Sequence, residues 1–222
     1  MEDGIATAEG GMGLWWYAGA SYSNATFDIE FSLPQNEWNS GIFVRFPEPG
    51  NDPWVAVREG YECQVSGNKA DKHSTGGIFD IQAPSHDALK KPGEWNHYQI
   101  TTWNDKIIIV INDELVNVFS TAIGRGDTKG HIGLQNHDPN SKVQFRKIAV
   151  REWQDDLSLD QVLEQIGITR ADWAKYHAAR QPEGKWYEKM DLGPVWANVF
   201  EDHYQGEERL AALKTAIEKD IK

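Results

Sequence analysis

From residue 14 to residue 150 the chain is a succession of short runs with a two-residue period, separated by turn-forming residues. The clearest is 26–33, where Phe27, Ile29, Phe31 and Leu33 alternate with Asp28, Glu30 and Ser32 before Pro34 closes the run. Successive side chains on a strand point to opposite faces, so such a run buries one face and wets the other. The same reading places strands over 41–46, 60–65, 77–82, 95–102, 106–111, 114–119, 131–136 and 143–150. Trp103-Asn104-Asp105 and Asn112-Asp113 read as tight turns, because Asn and Asp tolerate left-handed backbone. With no helical spacing between the runs, the expected fold is mostly β, an antiparallel sandwich. Residues 107–110 are Ile-Ile-Ile-Val, which predicts a strand covered on both faces.

The pattern changes near Glu152. Ser158-Leu159-Asp160-Gln161 is a capping box before an apolar stripe of Leu159, Val162, Leu163 and Ile166, with Gly167 as the stop. A second helix is expected from Thr169 to before Pro182, and a third over 207–220. Between them lie Trp186, Tyr187, Trp196, Phe200 and Tyr204. The expected division is a sandwich over 14–152 and a helical extension over 153–222. The apolar stripes need a covering surface, so the extension is expected on the sandwich or on a neighbouring subunit, where it could build an oligomer.

Charge narrows the partners. Lys plus Arg number 22 against 34 Asp plus Glu, a net of −12, and the extension has no local basic excess. Such a chain has no general attraction for phosphate backbones or anionic lipid, so neither nucleic acid nor membrane is expected. No apolar run reaches the roughly 18 residues that span a bilayer. The first residues of the chain as given carry Glu2, Asp3 and Glu9 and do not read as a signal peptide. Cys63 is the single cysteine, so no intrachain disulfide is expected. Ten Trp, seven Tyr and eight Phe are many for a chain of 222 residues. Aromatic faces stack on sugar rings, which raises carbohydrate as a ligand beside the plainer reading of cross-strand aromatic pairs.

Alternation also predicts where polar chemistry gathers. Arg45, Glu62, Gln64, Asp80, Gln135 and His137 fall opposite the apolar positions of their runs. On one sheet they would share a surface rich in amide, guanidinium, imidazole and carboxylate groups and poor in lysine. Amides and carboxylates can chelate sugar hydroxyls, although an ordinary solvated face has the same alternation. Trp54, in a Pro-flanked stretch, is a stacking candidate, and Lys91, before Pro92, reads by default as a solvated loop lysine that could touch the groove. The histidines 73, 86, 97, 131 and 137 have no metalloprotease spacing. Glu62 with His137 could hold a divalent cation that polarises a carbonyl.

Five segments in order, Asn39-Ser-Gly-Ile-Phe-Val-Arg45, Gly60-Tyr-Glu-Cys-Gln-Val65, Lys91-Pro-Gly-Glu-Trp-Asn96, Gly130-His-Ile-Gly-Leu-Gln-Asn-His137 and Val143-Gln-Phe-Arg-Lys-Ile148, resemble the 3-keto-disaccharide hydrolase family. The resemblance covers about residues 14–152, with Lys147 where the family commonly has Asn. It implies a concanavalin-like jelly-roll sandwich and cleavage of glycosides whose sugar carries a ketone at carbon 3. Members are often exported in bacteria. In that chemistry the ketone acidifies the carbon-2 hydrogen, a base removes it, and the group on carbon 1 leaves by elimination. Glu62 is then the expected base, Arg45 the cation facing the enolate, and His137 the acid or second base. Gln64, Asp80 and Gln135 would orient hydroxyls. Two other readings are a non-catalytic carbohydrate-binding module, which such sandwiches also support, and an interaction subunit of a larger complex.

Overall fold

The computed structural model describes residues 3–67, 71–121, 129–153 and 157–179. Among these residues ten strands form two antiparallel sheets. In chain order they are β1 (Ala6–Ala8), β2 (Gly13–Trp16), β3 (Ala25–Ser32), β4 (Asn39–Phe46), β5 (Tyr61–Ser66), β6 (Trp95–Trp103), β7 (Lys106–Ile111), β8 (Glu114–Ser120), β9 (His131–Asn136) and β10 (Val143–Glu152). A six-stranded sheet runs β1-β10-β3-β6-β7-β8 and a four-stranded sheet runs β2-β9-β4-β5. The sheets face each other across a core of Phe27, Ile29, Phe31, Ile42, Val44, Cys63, Ile107 and Ile109, which are the apolar phases of their strands. The protein is a concanavalin-like jelly-roll sandwich with a helical C-terminal extension.

The turns behave as their residues dictate. Asn104, Asn112 and Asp113 have φ of 48°, 50° and 68°, so β6–β7 and β7–β8 close through left-handed turns. β7 is buried along its whole length. Ile107, Ile109 and Ile111 enter the intersheet core, while Ile108 and Val110 face outward beneath the extension.

That extension begins with two helices, α2 (Leu159–Gln165) and α3 (Arg170–Ala179). Ser158 and Gln161 cap α2 reciprocally, and Gly167 breaks the chain at φ +75°. Val162, Leu163, Ile166, Ile168, Trp173 and Tyr176 pack on Ile108, Val110, Leu115 and Val118 as one apolar cluster. The expected third helix over 207–220 and the aromatic stretch 186–204 lie outside the described residues. Among the described residues no helix is long and apolar enough to cross a membrane.

Three features depart from the sequence reading. The sandwich starts before residue 14, because β1 pairs with β10 through Ala6 opposite Phe145. Residues 77–82 are not a strand. Ile78 bridges Cys63 and Gln82 singly, and the chain doubles back through Asp80 at φ 58°. A six-residue helix, α1 (Trp54–Glu59), follows β4. It is too short for a helical period to show in the sequence, and its anchor on the sheet is one buried residue, Ala56.

Candidate active site

The outward face of the four-stranded sheet carries the candidate site. Register sets two rows across it: Leu14, Gln135, Gly41 and Gln64 in one, and Trp16, Gly133, Phe43 and Glu62 in the other. Their neighbours Ile42, Cys63, Val65 and Leu134 point the other way, into the core. Phe43 and Phe46 join Ala56 of α1 in a small apolar cluster with Leu14 and Trp16, which closes one side of this face.

Glu62 lies in that apolar setting with only 7% of its surface exposed. Its side chain folds over Gly41, where a Cβ would collide with Oε1 and stand 2.7 Å from Cγ. Only glycine leaves room for the carboxyl there. Burial pushes the Glu62 pKa up to about 8, against the smaller opposing effect of a hydrogen bond with the Gln135 side chain. The Oε1 of Gln135 is itself buried without a hydrogen-bond partner. A carboxyl and an amide that the sequence separates by more than seventy positions therefore meet on one surface, with an acceptor to spare.

Residues 71–82 form the wall beside Glu62. The Gly77 carbonyl accepts the Gln64 N–H at 2.9 Å, and the Phe79 N–H donates to the Glu62 carbonyl at 2.9 Å. A Cβ on Gly77 would lie 2.9 Å from the Lys72 carbonyl oxygen and 3.0 Å from that of Ser74, so the segment before it is folded tightly upon it. Asp80 belongs to this wall. Its Oδ1 holds Lys72 Nζ at 2.6 Å and lies 3.4 Å from His73 Nε2, while the His73 ring packs on Phe79 at 5.1 Å. Lys72 and His73 were not anticipated. The only signal in this stretch was the alternation of 77–82, and the left-handed Asp80 breaks it.

The other expected residues are placed differently. Arg45 does not join Glu62. It has φ 58°, the pairing with β9 slips between Phe43 and Phe46, and the alternation of β4 ends there. The guanidinium is buried at an end of the sandwich, donating to the Asn104 carbonyl at 2.6 Å, Thr121 Oγ1 at 3.3 Å and the Ser23 carbonyl at 3.4 Å. His137 follows the end of β9 and engages Asp138 at 2.9 Å through Nδ1. Asp138 in turn accepts the Asn140 and Ser141 N–H groups, so His137 belongs to that loop. Gln64 is buried on the site face and its Oε1 accepts the Val65 N–H at 3.0 Å. Trp54 is 49% exposed at the start of α1. Lys91 is exposed in the turn before β6, of the other sheet, with its N–H on Glu94 Oε2 at 2.9 Å.

Among the described residues no group of three or more His, Cys, Asp or Glu side chains could hold a metal ion. Glu62 and His137 do not by themselves fit a divalent cation. A cleft of about 740 Å³ opens between β2–β9 and β3–β10, lined by Trp15, Trp16, Tyr17, Phe27, Gly133 and Ile148 among others. Its lining has no carboxylate, imidazole or amine.

The sequence matches the 3-keto-alpha-glucoside-1,2-lyase-like domain over residues 1–151. The chain belongs to that family. Membership makes this a carbohydrate-active protein. Two solved structures of candidate glycosyl hydrolases from Parabacteroides distasonis share the fold. One is 24% identical with a TM-score of 0.60, covering 68% of this chain and 88% of its own. The other is 19% identical with a TM-score of 0.58, covering 69% and 82%. No curated protein matches this sequence. Residues 152–222 lie outside the family match.

Proposed function

We propose that this protein cleaves glycosides of 3-keto sugars by elimination, with Glu62 as the base. The observation that carries the reading is the buried Glu62 carboxyl, raised to a pKa of about 8 on an outward sheet face. A carboxylate of ordinary pKa is a weak base toward a carbon acid, and burial strengthens it. The ionised carboxylate takes the proton from carbon 2, and the electrons of that C–H bond move into the carbonyl, giving an enolate. Collapse of the enolate forms the carbon 1–carbon 2 double bond and breaks the bond from carbon 1 to the aglycone oxygen, which takes up a proton. Water adding across the double bond would complete a hydrolysis. Release of the unsaturated sugar would make the reaction a lyase step.

The residues around Glu62 support the remaining tasks. Lys72, ion-paired with Asp80 on the adjoining segment, is the cation proposed for the enolate oxygen in place of Arg45. The unpartnered Gln135 Oε1 is an acceptor for a sugar hydroxyl. The test is aglycone release from p-nitrophenyl 3-keto-glucoside in deuterated water. The expected result is product, with solvent deuterium at carbon 2 of any rehydrated sugar and no reaction of the unoxidised glucoside. Sugar binding without product would make the domain a binding module instead. Product without exchange would point to direct displacement.

A further inference from the structure

The wall beside Glu62 is held from the six-stranded sheet. β8 is an edge strand, and an edge leaves backbone groups unpaired. At Val118 both are taken. Its N–H donates to the Tyr176 hydroxyl of α3 at 2.8 Å, and its carbonyl accepts the Gln82 side-chain amide at 3.0 Å. The same Gln82 amide also donates to Asn117 Oδ1, which lies 3.3 Å from the Tyr176 hydroxyl. Asn117 Nδ2 then donates to the Gly76 carbonyl at 2.8 Å. Both ends of the turn that carries Phe79 and Asp80 are thus fastened to one wholly buried asparagine, and a tyrosine of the extension braces that asparagine. Tyr176, Gln82 and Asn117 are 5%, 7% and 0% exposed. A buried polar set this complete fixes one arrangement, because any partial version leaves a donor or acceptor unsatisfied.

We infer that Tyr176 is a positioning residue for the substrate site, acting through Asn117 and Gln82 on the 76–82 wall, and that the helical extension is therefore a working part of the site. The inference rests on the reading of Glu62 and its wall as the place where sugar binds. Its partner groups lie in the sandwich, but the hydroxyl comes from residues outside the family match. Loss of the hydroxyl leaves the Val118 N–H without its acceptor and removes one of the three hydrogen bonds that hold the Asn117 amide. The segment that carries Lys72 and Asp80, which the Phe79 N–H ties to the Glu62 carbonyl, would then lose part of its support.

The experiment compares the full chain with its Tyr176→Phe variant, which keeps the ring in its apolar setting. With p-nitrophenyl 3-keto-glucoside well below the melting temperature, KM should rise at least fivefold while kcat stays within twofold. Amide hydrogen exchange over 76–82 should quicken at least tenfold, with β3 and β6 unchanged. A folded variant with KM within twofold of the parent overturns the inference, since a purely structural role would lower only the melting temperature. If the parent chain releases no aglycone, the proposed function fails and the exchange measurement alone decides: unchanged exchange over 76–82 overturns the positioning role. Should Tyr176→Phe not fold, Gln82→Met removes the other end of the same brace and is read in the same two ways.

Discussion

The two sheets each present a polar outward face, and the two faces treat their carboxylates in opposite ways. On the six-stranded sheet Asp28 accepts from His97 Nε2 and from Gln99 Nε2, each at 3.0 Å. Beside it Glu30 is bound by Arg146 at 2.6 Å and Lys147 at 2.8 Å, and Arg146 stacks on Trp95. The His97 hydrogen bond holds the Asp28 pKa down, and that from Lys147 does the same for Glu30. On the four-stranded sheet Glu62 has an amide, an apolar cluster and a glycine for neighbours, and its pKa rises. In sequence the two patterns are the same alternation. The difference teaches that a carboxylate satisfied by cations serves the sheet, whereas one buried against apolar groups is costly to ionise and is reactive when ionised.

The largest expected effect separates the faces directly. Glu62→Gln should lower kcat/KM on a 3-keto glucoside by roughly 10²–10⁴-fold, the usual worth of a general base. Asp28→Asn should change it less than about threefold. Equal losses from the two substitutions, or a loss under about tenfold for Glu62→Gln, would remove Glu62 from its role.

Next in size is the extension. Truncation before Trp153 uncovers Ile108, Val110, Leu115 and Val118 on the outer face of β7 and β8. Losing the apolar contacts of several such side chains should cost on the order of several kcal/mol, against the roughly 5–15 kcal/mol that holds a domain together. The expected outcome in a thermal melt is a sharply lowered midpoint or insoluble protein. An unchanged midpoint would show that the cover is dispensable.

The opposed pKa shifts make a pH prediction of known sign. Glu62 has a folded pKa of about 8 against 4.5 unfolded, so between those values the folded state holds a proton that the unfolded state has released. Its contribution to stability is present below the unfolded value and declines as pH rises toward 8, by at most about 1.4 kcal/mol per pH unit. Glu62→Gln should flatten that decline and raise the melting temperature at pH 8. Asp28 behaves in reverse, since its contribution is lost as pH falls through its lowered folded pKa. Activity should climb as Glu62 ionises, with an apparent pKa near 8 in kcat/KM, and a midpoint below 6 would contradict the base assignment.

The smallest effect concerns the residues that resemblance placed at the groove and structure placed elsewhere. Lys91→Ala should leave kcat/KM within about twofold, because the residue occupies an exposed turn of the other sheet. A large loss would mean that the 90–94 turn reaches the substrate.

Local patterns in the amino-acid sequence were enough for the sandwich, its left-handed Asn and Asp turns, the doubly covered β7 and the capped helix α2, because each depends on side chains within a few positions of one another. They also put Glu62, Gln64 and Gln135 on one face, since a period of two is a geometric property of an extended strand. What the alternation could not carry was a break in itself. Arg45 and Asp80 both sit at positive φ, and each is turned out of the phase of its run, Arg45 to the end of the sandwich and Asp80 into a wall with Lys72. Nor could it show that Gly41 makes room for the Glu62 carboxyl, or that a tyrosine of the extension braces an asparagine of β8. Those contacts join positions that only register and sheet order bring together, and the Glu62 pKa follows from them. Which residues were available for chemistry was written along the chain; which of them lost water and cationic partners was decided by packing.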